Sequence, residues 1–152
     1  MAYLTKSRFK LGLECPTKLF YDSQREIYFN QRNDDPFMDA LAKGGFQVGE
    51  LAKLHYPEGI DIDTLNTQEA IRLTEDALKK EEVTIFEAAF KVGHRLIRVD
   101  VLQKTKHQIR LIEVKSKSCA GNDIGQFQTK NGAIAVKWRS YLEDVAFQYC
   151  LV

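Results

Sequence analysis

The feature that most constrains the fold is a change of periodicity after residue 82. Three segments, residues 83–90, 96–103 and 109–116, alternate between apolar and polar or small side chains. A period of two is typical of β-strands, and the short connections between these segments suit antiparallel hairpins. The sequence therefore predicts a three-stranded antiparallel meander, with hairpin tips at Val92-Gly93 and Thr105-Lys106.

The segments around the meander have helical patterns. Thr5 is placed to cap a first helix, and Pro16 opens a second short segment. Asp35 followed by a proline predicts the start of a longer helix, which Gly44-Gly45 would weaken or bend. Further helices are expected at 66–80 and 140–152, and loops at 30–34 and 117–137. The predicted class is α/β, with a small mixed sheet flanked by helices.

Length and composition restrict the class of protein further. A chain of 152 residues, 44% of them hydrophobic, suits a single domain with its own core. The 22 basic and 21 acidic side chains nearly balance, so any nucleic-acid surface would have to be local. Three widely spaced cysteines form no disulfide framework, and no apolar run approaches the ~18 residues of a membrane span. We expect a cytoplasmic protein without membrane contact, and the apolar, uncapped end at Val152 predicts a longer protein.

Strand parity places acidic and basic side chains on one face of the predicted meander. With the tips given above, Asp100 lies opposite Leu111. Since side chains alternate along a strand, Asp100, Glu113 and Lys115 then project from the same side. The other face of the middle strand is apolar and is expected in the core: Ile97, Val99 and Val101.

Two carboxylates and a lysine on adjacent strands are the groups that metal-assisted phosphodiester cleavage requires. Carboxylate oxygens suit Mg²⁺ or Mn²⁺, which retain several waters. A nearby ammonium can orient a metal-bound water or stabilise developing negative charge. The alternative is a solvated face, because the pattern E-x-K is common on strands.

Six segments in a fixed order carry a family resemblance. They read LTKSRFKLGLECPTKLFY at 4–21, GGFQVGELAKLHYPEG at 44–59, IFEAAF at 85–90, IRVDVL at 97–102, LIEVKSKS at 111–118 and YLEDVAFQ at 141–148. Together they resemble the PD-(D/E)XK nuclease superfamily, in particular the RecB-like branch that includes the CRISPR adaptation exonucleases. The resemblance implies a restriction-endonuclease-like core over residues 1–152 of a longer protein.

The resemblance also implies roles for the residues of the shared face. Asp100 and Glu113 would be metal ligands, helped by the carbonyl of Val114, and Lys115 would be the catalytic lysine. The implied cofactor is Mg²⁺ or Mn²⁺, and the implied partner is DNA. The implied activity is phosphodiester hydrolysis in repair, recombination or defence, alongside the rest of a longer chain or a helicase-like partner.

Two further acidic residues, Glu50 and Glu87, are candidate metal ligands. The family's first motif, G-x-x-V-H-E, reads G-F-Q-V-G-E here, so Gly49 replaces the metal-binding histidine. Glu50 is then the next candidate ligand, whereas His55 is expected to be a surface residue at the helix end. Glu87 is either a further ligand, because it shares the predicted face, or a partner of Arg98, which it would lie opposite.

Two other family positions have partial matches. Gln148 matches the glutamine of a Q-x-x-x-Y motif that lies against the substrate, although Val152 stands where the tyrosine is expected. Cys15 resembles the first cysteine of the iron–sulfur clusters of some relatives. Such a cluster needs four thiolates, and Cys119 and Cys150 match no family position. We therefore expect a buried, inert Cys15 and no cluster in this chain.

Basic and aromatic residues flank the predicted site. Lys117 and Lys130 are candidates for binding phosphates, with Lys137 and Arg139 nearby. The alternative for each is an exposed loop residue. Trp138 and Phe127 could stack on a base, but packing of Trp138 against the last helix is the expected role.

Three functional readings follow from the sequence. The first is an active metal-dependent deoxyribonuclease. The second is a nucleic-acid-binding module of the same fold whose catalytic centre has decayed, which Gly49 and Val152 favour and the intact Asp100, Glu113 and Lys115 oppose. The third is a fragment that has no activity alone.

Overall fold

The computed structural model describes residues 3–28, 35–117 and 127–152, so the loop expected at 30–34 lies outside it. The described elements are α1 (Lys6–Glu14), α2 (Pro16–Asp22), α3 (Pro36–Leu54), β1 (Ile60–Asp61), α4 (Thr67–Ala77), β2 (Val83–Val92), β3 (Arg95–Lys104), β4 (Ile109–Ile112) and α5 (Val136–Tyr149). The chain is α/β, as the periodicity predicts. No helix within these ranges has both the length and the apolar character needed to cross a membrane.

The predicted helix starts are confirmed by their capping contacts. Thr5, Asp35 and Asn66 each stand at an N-cap, and each side chain accepts a hydrogen bond from a backbone N–H of the first turn. These bonds satisfy N–H groups that have no partner within the helix. Gly44-Gly45 do not interrupt α3, which continues through both glycines.

The sheet has four strands in the order β1-β2-β3-β4, and it is mixed. The strand β1 runs parallel to β2, whereas β2, β3 and β4 form the antiparallel meander predicted from the alternation. The sequence reading missed β1, which is only two residues long. It also extended the last strand to residue 116, although β4 ends at Ile112.

The observed register differs from the predicted one without changing the faces. Leu111 pairs with Leu102 rather than with Asp100, because the second hairpin turns at Lys106-His107. Likewise Arg98 pairs with Ala89, which corrects the expected Glu87–Arg98 pairing. Both registers differ from the prediction by an even number of residues, and only an odd shift would move side chains to the other face.

The core lies between the sheet and helices α4 and α5. The side of β3 predicted to be apolar is buried, with Ile97, Val99 and Val101 each at most 1% exposed. The rings of Phe9 and Phe147 stack with centroids 4.5 Å apart, which joins α1 to α5. The core cluster comprises Ile62, Ala70, Ala77, Ile85, Ala88, Ala89, Ile97, Val99, Leu102, Phe147 and Leu151.

Candidate active site

The two predicted acidic ligands come together where the pairing of β3 with β4 ends. Val101 and Ile112 are the last paired residues at this end, and Asp100 and Glu113 occupy the next positions. The backbone N–H of Val114 donates to Asp100 Oδ2 at 2.8 Å. The ammonium of Lys6 lies 2.8 Å from Glu113 Oε1 and 3.7 Å from Asp100 Oδ1. The two carboxylates therefore share a face and hold one cation between them.

Glu113 is the most enclosed acidic side chain of this pair. It is 5% exposed and accepts hydrogen bonds from Lys6, from Lys115 and, at 2.7 Å, from the amide of Gln148. Burial acts to raise the pKa of Glu113, but the hydrogen bonds from Lys115, Lys6 and Gln148 outweigh it and lower the pKa below its usual value. Glu113 is thus held as a carboxylate.

The pKa of Asp100 is shifted in the opposite direction, above its usual value. Burial raises its pKa and the charge of Glu113 adds to this, although Lys6 and the Val114 N–H act to lower it. The pKa of Glu87 is also raised, first by desolvation and then by the charge of Asp100. Burial and a neighbouring negative charge therefore make both Asp100 and Glu87 harder to ionise.

Lys115 extends from the segment after β4 toward a buried acid. Its ammonium hydrogen-bonds to Glu113 and lies 3.6 Å from Asp144 Oδ2. Desolvation acts to lower the pKa of Lys115, but the bond to Glu113 and the charges of Glu113, Asp144 and Asp100 raise it overall. Lys115 is therefore held as a cation beside the carboxylate pair.

Three charged residues around Glu113 and Lys115 were not predicted from the sequence: Lys6, Lys10 and Asp144. Asp144 on α5 is 1% exposed, and its Oδ2 lies 3.3 Å from the ammonium of Lys10. Spacing could have indicated all three, because residues four apart share one face of a helix. Lys6 and Lys10 are four apart on α1, and Asp144 precedes Gln148 by four on α5.

The structure buries Gln148, which was expected to contact nucleic acid. Its side chain is fully buried, and its amide donates to Glu113 at 2.7 Å and to the carbonyl of Asp144 at 3.2 Å. A residue without exposed surface cannot touch a substrate in this conformation. The structure therefore offers no exposed surface of Gln148 for a nucleic-acid contact, and the Gln148 amide instead fixes the position of Glu113.

An open cleft of about 1150 Å³ lies between α3 and the sheet, on the side of Asp100. Asp100, Val114 and Lys115 line it, together with Glu87 and Glu50. Glu87 has a left-handed backbone with φ of 56°, at a position in β2 without a paired residue in the ladder. Such a backbone is unusual for a side chain within a strand.

Glu50 is on the cleft wall rather than in the carboxylate cluster. Its side chain is 71% exposed and pairs with Lys53 at 2.8 Å. Lys53 also bonds to Asp61 at 2.6 Å, so it links α3 to β1. Arg98 donates to the carbonyls of Ile62 and Thr64, and to the Glu87 carbonyl rather than its carboxylate. His55 is exposed at the C-cap of α3, as predicted.

The predicted phosphate-binding lysines lie outside this cluster. Lys117 stands over the rings of Trp138 and Tyr141, at 4.4 Å and 4.8 Å from their centroids. Trp138 is half-buried on α5, and its ring centroid lies 5.3 Å from that of Phe127. Lys130 is exposed. Phosphate contacts by Lys117 and Lys130 stay predictions.

The expectation for Cys15 is corrected, because this thiol is only partly buried. Cys15 is the N-cap of α2, and backbone N–H groups of Lys18 and Thr17 lower the pKa of its thiol. Cys150 is exposed, and Cys119 lies outside the described residues. Within the described ranges, no group of three or more His, Cys, Asp or Glu side chains is arranged to hold a metal.

The lowered pKa of Glu113 predicts a pH-dependent contribution to stability. An unfolded glutamate titrates near pH ~4.3, so a lower pKa in the folded state stabilises the fold above that pH. This contribution is lost as the pH falls through the folded pKa. The difference in free energy of unfolding between wild type and Glu113→Gln, measured with urea, should therefore shrink as the pH is lowered below ~5. A difference that grows toward acid would contradict the assignment.

Comparisons with known proteins identify no relative. No family model, no curated protein and no solved structure matches this chain. The fold and the side-chain geometry are therefore the basis on which a function is proposed.

Proposed function

We propose that this chain is a metal-dependent nuclease of the PD-(D/E)XK type, with a restriction-endonuclease-like core, that hydrolyses DNA phosphodiester bonds. One observation carries the proposal: a carboxylate of β3 and a carboxylate directly after β4 share a cation, and a lysine ammonium bonds to one of them. Asp100, Glu113 and Lys115 occupy the positions at which the sequence pattern resembles that superfamily.

The carboxylate pair fits Mg²⁺ or Mn²⁺ in its chemistry. Asp100 and Glu113 offer oxygen ligands on one face, and the ammonium they share marks a point within reach of both. Mg²⁺ is usually bound through one or two carboxylates, with water and substrate phosphate oxygens completing the coordination. A third acidic ligand is thus not required. When bound, such an ion polarises a phosphoryl oxygen and lowers the pKa of a coordinated water.

The residues of the chain have separate tasks in this proposal. The Val114 N–H and the Gln148 amide hold the two carboxylates in place. The ammonium of Lys115 donates a hydrogen bond to the attacking water or to the charge that develops on the phosphate. Lys115 and Asp100 both line the open cleft, where a nucleotide chain would have to bind.

A second candidate is a nucleic-acid-binding module of this fold without catalysis. Gly49 lies on the cleft wall where the resemblance implies a histidine, and a side chain there would meet no atom within 4 Å. The described residues also contain no cluster of three metal-binding side chains. Both observations favour a site that has lost a ligand.

The test combines metal binding with DNA cleavage. Wild type and Asp100→Ala are titrated with Mn²⁺ by calorimetry. Both are also incubated with plasmid and linear DNA, single- and double-stranded, in Mg²⁺ or Mn²⁺. We expect Asp100→Ala to lose Mn²⁺ binding and cleavage together, because one of two charged ligands is removed. Asp76→Ala is the matched control, since Asp76 pairs with Arg72 and Lys79 on the surface of α4.

The outcomes separate the two candidates. Cleavage by wild type and Asp76→Ala, but not by Asp100→Ala, supports the nuclease. Mn²⁺ binding that Asp100→Ala abolishes, without any cut DNA, supports the binding module. If wild type neither binds Mn²⁺ nor cuts DNA, the nuclease proposal fails.

A further inference from the structure

Lys6 occupies the space between the two acidic side chains. It is the first residue of α1, and its ammonium lies 2.8 Å and 3.1 Å from the two oxygens of Glu113. Asp100 Oδ1 is 3.7 Å from the same nitrogen. This lysine and Glu113 are 107 residues apart in sequence, so only the tertiary fold brings them together.

An ammonium and a divalent ion cannot share this position. Mg²⁺ binds oxygen at about 2.1 Å, so an ion bridging the carboxylates would lie within the volume that the ammonium fills. Two cations at such a separation also repel strongly where water is scarce. Whichever cation is present excludes the other.

Lys115 does not compete in the same way. It pairs with Glu113 and Asp144, whereas Lys6 pairs with Asp100 and Glu113. Both ammonium groups bond to Glu113 Oε1, but only Lys6 also lies near Asp100 and only Lys115 also lies near Asp144. One lies between the carboxylates, and the other lies beside them.

The contacts of Lys6 allow it to leave. Its side chain is 23% exposed, and its stem is the flexible four-carbon chain of lysine. Without Lys6, Glu113 keeps its bonds to Lys115 and Gln148, and Asp100 keeps its bond from the Val114 N–H. The carboxylates thus stay in place when this ammonium withdraws.

We propose that Lys6 is a further residue of the metal site, an internal cation that a divalent ion must displace, and that it thereby sets the metal affinity. The inference rests on the proposed function, since it requires that Asp100 and Glu113 bind a metal. It predicts that removing the ammonium strengthens metal binding, which is the opposite of removing a ligand.

The test is a Mn²⁺ titration that needs no DNA. Lys6→Met keeps the length of the side chain without its charge, and it should bind Mn²⁺ about tenfold more tightly than wild type. Lys6→Arg retains a cation and should stay near the wild-type affinity. Lys18→Met is the matched control, because Lys18 pairs with Glu14 on an exposed surface. Thermal unfolding of each variant confirms that it is folded.

A second measurement does not depend on any variant. Lysine labelling of the wild type by an amine-reactive ester, read by peptide mass spectrometry, should increase at Lys6 when Mn²⁺ is saturating, because the ammonium is released from Glu113. Labelling at Lys18 should not change.

The results distinguish this inference from the proposed function. Tighter Mn²⁺ binding by Lys6→Met, with increased labelling of Lys6, supports displacement. Wild-type or weaker Mn²⁺ binding by Lys6→Met, while Asp100→Ala still abolishes binding, overturns displacement and leaves the metal site standing. If no protein binds Mn²⁺, both proposals fail.

Discussion

Replacing Lys115 with methionine is expected to lower the rate of DNA cleavage about 10²–10³-fold, the usual effect of removing one preorganised donor from a developing charge. Mn²⁺ binding should be retained, because both Asp100 and Glu113 remain and the Gln148 amide still holds Glu113 in place. Single-turnover cleavage at saturating Mn²⁺, together with calorimetry, measures both quantities. A lower cleavage rate with retained Mn²⁺ binding would identify Lys115 as a catalytic residue.

Lys117→Met is the matched control for this experiment. Lys117 lies two residues further along the same segment, but its ammonium stands over Trp138 and Tyr141 instead of the carboxylates. Its removal should weaken DNA binding at most modestly and leave the cleavage rate of bound DNA unchanged. Equal cutting by wild type and Lys115→Met would mean that the activity comes from another site or from a contaminating nuclease.

Much of the sheet could be predicted from the sequence because an even error in strand register leaves each side chain on the same face. The predicted tips misplaced the partner of Leu111, and the predicted last strand was too long. Asp100 and Glu113 nevertheless share a face, since the error in register was an even number of residues. The predicted convergence of the two acids therefore depended on that error being even, because a slip of one residue would have placed them on opposite faces.

Helical spacing can place Lys6 and Lys10 on one face of α1, but it cannot show which acidic residues that face meets. Lys6 and Lys10 belong to a helix at the start of the chain, and they reach Glu113 and Asp144 only after α1 packs on α5. Similarly, β1 has two residues, which is too few for an alternation to be detected. The position of the two lysines and the formation of β1 both depend on long-range packing.

Gln148 shows that a match to a motif does not by itself establish the role of a side chain. Its position relative to the other segments fits the resemblance, and the structure places it beside Glu113. Only the packing of α5 reveals that the side chain has no exposed surface. The identity of a residue can be read from its sequence context, but its accessibility depends on which helix face is buried.

The largest effect on stability is expected from removing the cations around Asp144. Its carboxylate is almost fully buried, whereas the side chains of its partners Lys10 and Lys115 are about a third exposed. The double variant Lys10→Met/Lys115→Met leaves a buried carboxylate without either ammonium. A buried charge stripped of its partner typically costs about 3–5 kcal/mol in free energy of unfolding, and urea unfolding can measure this loss.

A third substitution shows whether the buried charge is the cause. Adding Asp144→Asn to the double variant removes the charge and keeps the shape of the side chain, so at least half of the lost free energy of unfolding should return. The control Lys18→Met/Lys79→Met breaks two exposed ion pairs and should leave stability unchanged. If the triple variant is as unstable as the double, the uncompensated charge of Asp144 is not the cause of the lost stability. The stems of the two lysines then stabilise the fold through packing.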